Sequence, residues 1–229
     1  QYLGITSVDR PITTMPMSYS YGLSIINSHL LKGASFILTD ATLMDRRFWA
    51  EMRQHAATTF GGVPYIFDIL KKLRFERMNL PNLKYITQAG GKLSNELTTT
   101  FADICKDKGI EFYVMYGQTE ATSRMSYLPW KFAQSKAGSI GSAIPGGKFW
   151  LEDENNNVIE SSNTVGELVY QGDNVAMGYA ESCFDLQNGD DNLGILRTGD
   201  LAMRDKDEFY YITGRLKRFL KMYGNRVNL

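Results

Sequence analysis

The chain has 229 residues, 43% hydrophobic and 12% aromatic, enough apolar material to bury a sizeable core in one large domain or two small ones. Twenty-five basic residues balance twenty-five acidic ones, which leaves no overall field to draw the protein to nucleic acid or an anionic bilayer. Two cysteines, Cys105 and Cys183, are too few for a disulfide framework, and no Cys/His cluster has zinc-ligand spacing.

The chain opens on Gln1 and not on Met, and reads as a piece of a longer polypeptide. Its most apolar early stretch, YGLSIINSHLL, is short and interrupted by Ser, Asn and His. Neither a membrane span nor a secretion signal is expected, and a reducing cytoplasm is the expected compartment. From residue 12 to 116 the apolar pattern alternates between runs and helical spacing, the texture of a parallel sheet flanked by helices. PITTMPM reads as the first strand, followed by a helix with Leu23, Ile26, Leu30 and Leu31 on one face and Gly33 to close it. SFILTD is the second strand, Phe48, Met52 and Ala56 mark the second helix, and TTFGGV is the third strand. Pro64 suits the first position of a helix carrying Ile66, Ile69, Leu70 and Leu73. LKYITQ follows as the fourth strand. Ser94 is placed to cap a helix with Leu97, Phe101, Ile104 and Cys105 inward and Gly109 past its end, before GIEFYVMY as the fifth strand.

Past residue 137 the texture turns to short β-prone pieces, KFWLED, GELVYQ and EFYYIT, separated by Gly, Asn and Asp, an antiparallel meander or small barrel. The organisation expected is an α/β part over 1–134, its parallel sheet and flanking helices spanning about 12–134, then a β-barrel-like part over 135–213 and a basic tail over 214–229 holding Arg215, Lys217, Arg218, Lys221 and Arg226. DENNNVIESSNT begins like a calcium loop, but Val158 stands where Gly is needed and Thr164 where Glu is needed, so it is a polar turn. GSAIPGGK has its Gly-Gly-Lys out of register for a phosphate loop and no Ser or Thr after Lys148.

In an open α/β sheet, ligands sit beyond the carboxyl ends of the strands. Two loops fit: QAGGK after the fourth strand and YGQTE after the fifth. Gly90 and Gly91 would let a ligand approach the backbone, Tyr116 offers a flat face to a purine, Thr119 can donate to a phosphate, and Glu120 is a hard oxygen ligand suited to magnesium. Each piece alone has a plainer reading: a Gly pair or TGD is a turn, Cys105 is core, and His29 and His55 are structural.

Taken in order, MYGQTEAT, GELVYQG, RTGDLA and GRLKRFLKMYGNRV resemble the signature blocks of the adenylate-forming superfamily, which includes acyl- and aryl-CoA synthetases, amino-acid adenylation domains and beetle luciferases. Upstream, MPMSYSYGL and QAGGKLS resemble its acid-pocket and adenine-loop segments, so the likeness covers the chain from about residue 12 to its end. The resemblance implies an AMP-binding domain that activates a carboxylic acid with ATP to an acyl-adenylate, releases pyrophosphate and passes the acyl group to a thiol, with ATP/AMP, Mg2+ and CoA as cofactors. It also implies roles: Gly90, Gly91 and Lys92 in the adenine loop, Tyr116 stacked on adenine beside Gly117, Thr119 on phosphate, Glu120 on magnesium, Asp200 on the ribose hydroxyls with Arg215 in support, and Lys217 at a hinge. Thr119 and Glu120 would be the catalytic pair.

Three departures accompany the likeness. The family's Gly/Ser/Thr-rich phosphate loop would precede MPMSYSYGL, its small lid domain with a catalytic lysine would follow Arg226, and Val114 stands where relatives often carry a polar side chain. The expectation is the middle-to-hinge portion of a ligase. No Asp lies between Pro16 and Gly22, where relatives that activate α-amino acids tend to hold the ammonium group, so a neutral carboxylic acid is favoured. Tyr19, Gln88, Ala89 and Gly117 are the expected pocket wall, and Tyr19 with Tyr21 points to a short or aryl acid. CoA is the expected acceptor, with a carrier protein's phosphopantetheine thiol or a non-catalytic AMP-binding module as alternatives.

Overall fold

A computed structural model describes residues 2–216, and the strand backbone of 219–222 and 225–228. It divides into two compact units, Gln1–Pro145 and Gly146–Leu229.

In the first unit, α1 (Ser20–Leu30), α2 (Arg46–Gln54), α3 (Pro64–Lys72) and α4 (Asn95–Asp107) alternate with β1 (Thr59–Gly62), β2 (Tyr85–Gln88) and β3 (Glu111–Tyr116). β1, β2 and β3 pair in parallel; β4 (Ser126–Leu128) and β5 (Ser142–Ala143) then extend the sheet antiparallel, giving the order β1-β2-β3-β4-β5. The sheet is therefore mixed at one side, and residues 134 and 135, the expected boundary, lie inside this unit, between β4 and β5.

Local chemistry sets the helix ends. Ser94 accepts the Leu97 amide at 3.2 Å and so caps α4, Asp45 accepts the Arg47 amide at 2.8 Å to start α2, and Pro64 opens α3. One sheet face is packed by α3 and α4 through Phe67, Phe101 and Phe112, all nearly or fully buried. The Phe67 and Phe101 rings meet edge to face at 5.0 Å, and each buried ring contributes about 1.5–3 kcal/mol.

Three expectations for this unit change. PITTMPM and SFILTD form no full strands: they add single parallel bridges, Pro11 to Thr59 and Ile12 to Ile37. Pro11 and Pro16 have no amide to continue a ladder. Second, α1 buries Tyr21, Gly22, Ile26 and His29, while Leu23, Leu30 and Leu31 are 45%, 52% and 75% exposed. The inward stripe is chosen by polar bonds, because the Tyr21 hydroxyl meets Thr87 Oγ1 at 2.6 Å and the His29 ring meets the Tyr85 hydroxyl at 3.1 Å. Third, Ala56 lies beyond α2, with φ 51°.

The second unit is an open antiparallel sheet in the order β6-β7-β8-β9, from β6 (Lys148–Glu152), β7 (Val165–Gln171), β8 (Ile195–Arg204) and β9 (Tyr210–Arg215), with a separate hairpin of β10 (Phe219–Met222) and β11 (Asn225–Asn228). Asp153 accepts the amides of Asn155 and Asn157, both at 2.8 Å, so the calcium-like segment is a turn closed by its own carboxylate. No helix among the described residues is long and apolar enough to cross a membrane.

Candidate active site

Gln88 pairs in parallel with Val114, so the QAGGK and YGQTE loops leave the sheet at the same end, beyond the carboxyl ends of β2 and β3. Gln88 is fully buried, and its Nε2 donates to the Gly91 carbonyl at 2.8 Å and the Ala89 carbonyl at 3.3 Å. It braces the loop from beneath, with Oε1 left without a partner among the described residues. Ala89 is 3% exposed, in a cluster with Tyr21, Tyr85, Tyr113 and Met115. These two side chains thus offer almost no surface, and what the loop presents is Gly90, Gly91 and Lys92, all exposed. Gly90 has φ +77°, and a Cβ there would sit 2.5 Å from the Tyr19 hydroxyl and 3.0 Å from Val63. Glycine is needed for conformation and for space, because the exposed Tyr19 ring reaches over this loop.

The YGQTE loop folds back on itself. The Ser123 amide donates to the Gln118 carbonyl and the Met125 amide to the Tyr116 carbonyl, both at 2.9 Å. That return brings the Ser123 carbonyl so close to Gly117 that any Cβ would collide with it. Tyr116 is half-buried at the end of β3, and Gln118 Nε2 donates to its hydroxyl at 3.2 Å, which fixes the ring. Val114 is buried, 8% exposed. Thr119 and Glu120 lie in a 3-10 turn, Thr119–Ala121, pinned by buried Ala121. Thr122 and Ser123 follow at φ 52° and 68°, left-handed conformations that cost about 1–3 kcal/mol each for residues with a side chain. The Ser123 hydroxyl is buried without a partner among the described residues. Across the mouth, Thr119 Oγ1 lies 3.2 Å from Ser20 Oγ in the first turn of α1.

Beneath these loops is a layer of tyrosines. Tyr2 stacks on Tyr127 at 4.1 Å, and Tyr85 meets Tyr113 edge to face at 6.2 Å. Burial raises the Tyr21 and Tyr85 hydroxyls well above the ordinary phenol range. Burial also lowers the His29 pKa, and Nδ1 donates to the Ile25 carbonyl at 2.8 Å, leaving Nε2 to accept from Tyr85. The layer is a hydrogen-bonded support, with the Arg124 guanidinium against Tyr2 and the Glu111 carboxylate accepting from the Tyr113 hydroxyl at 2.7 Å.

In the second unit, Asp200 of β8 is the register partner of Arg215 on β9, with Arg215 Nε 3.5 Å from Asp200 Oδ1 and side chains 56% and 14% exposed. The pair is shaped from β7. Glu167 Oε1 accepts the Gly199 amide at 3.0 Å. Thr198 Oγ1 donates to the Leu168 carbonyl at 2.7 Å and accepts the Asp200 amide at 3.1 Å. Lys217 lies outside the described residues. No group of three or more His, Cys, Asp or Glu able to hold a metal occurs among the described residues. A single carboxylate at Glu120 suits magnesium, which keeps water and phosphate oxygens for its other positions.

A model of the AMP-binding enzyme family matches residues 1–180. The chain belongs to that family. Over 227 residues it is 30% identical to 2-succinylbenzoate--CoA ligase of Bacillus cereus (strain Q1), covering 98% of this chain and 45% of that protein. It is 26% identical to oxalate--CoA ligase of Saccharomyces cerevisiae, covering 98% and 40%. Its fold is similar to o-succinylbenzoate coenzyme A synthetase of Bacillus subtilis solved with ATP and magnesium, with TM-score 0.78, 25% identity, and 98% and 45% coverage. The chain thus spans less than half the length of these relatives.

Several supporting residues escaped sequence reasoning. Ser20 and Glu167 stand inside the quoted blocks MPMSYSYGL and GELVYQG, but their partners are 99 and 32 residues away, beyond any local pattern. Gln118 was legible in principle as a donor two residues from Tyr116.

Proposed function

We propose that this chain is the nucleotide- and acid-binding part of an ATP-dependent carboxylate ligase that forms an acyl-adenylate and transfers the acyl group to the thiol of CoA. The observation that carries this is the shared exit of the QAGGK and YGQTE loops beyond β2 and β3, with Gly90, Tyr116 and Thr119 on them. Tyr116, held by Gln118, supplies a face for adenine; the bare backbone at Gly90 and Gly91 allows its close approach. A carboxylate attacking an α-phosphate must overcome charge repulsion. The Thr119 hydroxyl and a magnesium ion held by Glu120 would offset the charge that develops there. Asp200, with Arg215 beside it, has two acceptor oxygens for the ribose hydroxyls. Tyr19 over Gly90, with Gly117, would bound the acid pocket; the aromatic rings of Tyr19 and Tyr21 favour a short or aryl acid, and the lack of an Asp between Pro16 and Gly22 favours one without an ammonium group. The similarity to ligases named for 2-succinylbenzoate and oxalate supports CoA as acceptor. Lys217 is assigned the hinge role by resemblance alone.

The test is incubation of the full polypeptide with ATP, magnesium, CoA and a panel of carboxylic acids, following AMP and thioester by mass spectrometry. Acid-dependent AMP with an acyl-CoA is expected. AMP and thioester formed only with a phosphopantetheine-bearing carrier would replace CoA as acceptor, and nucleotide binding without AMP formation for any acid would make this a non-catalytic module.

A further inference from the structure

Resting on the ligase reading, we propose that Ser20 is a positioning residue for Thr119: its hydroxyl fixes the direction in which the threonine hydroxyl donates. Ser20 Oγ and Thr119 Oγ1 lie 3.2 Å apart although 99 residues separate them. A hydroxyl carries one proton and two acceptor sites, whereas a phosphate oxygen only accepts. If Thr119 donates to phosphate, its bond to Ser20 must be one that Thr119 accepts, so Ser20 donates. The two hydroxyls then form a directed chain, in which each donor polarises the next.

Among the described residues, the Ser20 hydroxyl makes no hydrogen bond besides the one to Thr119. Ser20 is the first residue of α1, and the capping position belongs to Tyr19, which makes no side-chain cap bond. The bond to Thr119 lies at the surface, where a single hydroxyl pair adds little to stability. Meanwhile the loop it joins is built for one geometry, with Gly117 packed against the Ser123 carbonyl and consecutive left-handed residues at Thr122 and Ser123. Tyr19, one residue earlier, has its hydroxyl against Gly90 of the neighbouring loop. Consecutive residues at the start of α1 therefore touch both loops, and Ser20 is the one whose chemistry acts on the phosphate donor.

Two measurements test this on the full polypeptide. The first reads the Thr119 methyl scalar couplings in the ligand-free protein: one χ1 rotamer is expected in the parent and in Ser20→Thr, and averaging in Ser20→Ala. The second is acid-dependent pyrophosphate exchange. Ser20→Ala should lower kcat about tenfold, less than the roughly 100-fold or more lost when a donor itself is removed, with KM for ATP changed far less and the melting temperature unchanged. Ser20→Thr should restore the rate to within about twofold, and Ser20→Ala added to Thr119→Val should cost nothing further, the mark of a residue acting through its partner. Should Ser20→Ala lower the melting temperature, Ser20→Cys, of similar volume and with a weak donor, must show the same kcat loss. A single Thr119 rotamer in Ser20→Ala, or losses that multiply in the double variant, would overturn the proposal and leave the ligase reading standing. Averaged couplings in Ser20→Ala with no exchange in the parent would overturn the ligase reading instead.

Discussion

Glu167 and Gly199 are joined across β7 and β8 by a carboxylate that accepts the glycine amide at 3.0 Å. The bond sits where the β7–β8 register shifts, between Glu167 and Val169, and it holds the backbone one residue before Asp200. Glu167→Ala is expected to cost about 1.5 kcal/mol of stability, the usual worth of a bond to a charged group, and to weaken nucleotide binding by misplacing Asp200. Glu167→Gln keeps an acceptor oxygen and should lose much less. Denaturant unfolding of both variants checks this, and equal losses would remove the bond from the explanation.

Asp200→Ala should weaken AMP and acyl-adenylate binding by about 1.5–3 kcal/mol, the range for charge-assisted bonds. Arg215→Ala should cost less, because its guanidinium is 56% exposed and 3.5 Å from the carboxylate. Titration calorimetry of the two variants measures the difference. Unchanged affinity in Asp200→Ala would take that residue out of the site.

Acid should loosen the tyrosine layer at a pH set by His29. Burial lowers its pKa below 6.5, so the neutral ring is favoured in the folded state while the unfolded chain takes up a proton at about 6.5. The stability it contributes is present above that value and lost as pH falls through the lowered folded pKa. Asp9 acts later. Burial tends to raise its pKa, but the Lys84 ammonium at 2.7 Å and the Thr6 amide and hydroxyl outweigh this and lower it below 3.8, so its contribution goes only in stronger acid. His29→Gln should flatten the stability profile just below pH 6.5 and leave the more acidic limb intact. Equal slopes in parent and variant by chemical denaturation across pH would contradict this.

The cysteines should behave oppositely toward thiol reagents. Burial pushes the Cys105 thiol up to about 12 and leaves it 1% exposed, whereas Cys183 is exposed. One thiol should react rapidly in the native chain and a second only on unfolding, with the fast phase abolished in Cys183→Ser. Two fast thiols would mean that the α4 face opens readily.

The sequence and the structure agree where signals are local. Ser94 three residues before Leu97, Pro64 at a helix start and the two loops after LKYITQ and EFYVMY all lie where side-chain chemistry acts on its own neighbourhood. They part where a distant partner decides. The α1 leucines share a helical period with Ile26, yet Thr87 and Tyr85 draw Tyr21 and His29 inward. β8 was hidden because its Thr198-Gly199-Asp200 segment reads as a turn, and it stays a strand through bonds from Glu167 and Leu168 on β7. β4 has three residues, too few to show a period. Gln88 was expected to line a pocket, but its amide is used on the Gly91 carbonyl beneath the loop.

The most direct test of carboxylate activation is ATP–pyrophosphate isotope exchange by the full polypeptide across a panel of acids, with Glu120→Ala alongside. Exchange that depends on a short or aryl acid and falls roughly 100-fold or more in Glu120→Ala is the expected result, since Glu120 would hold the charge-offsetting ion. Exchange that needs no acid, or that persists at the parental rate in Glu120→Ala, would contradict the assignment of this loop to the chemistry.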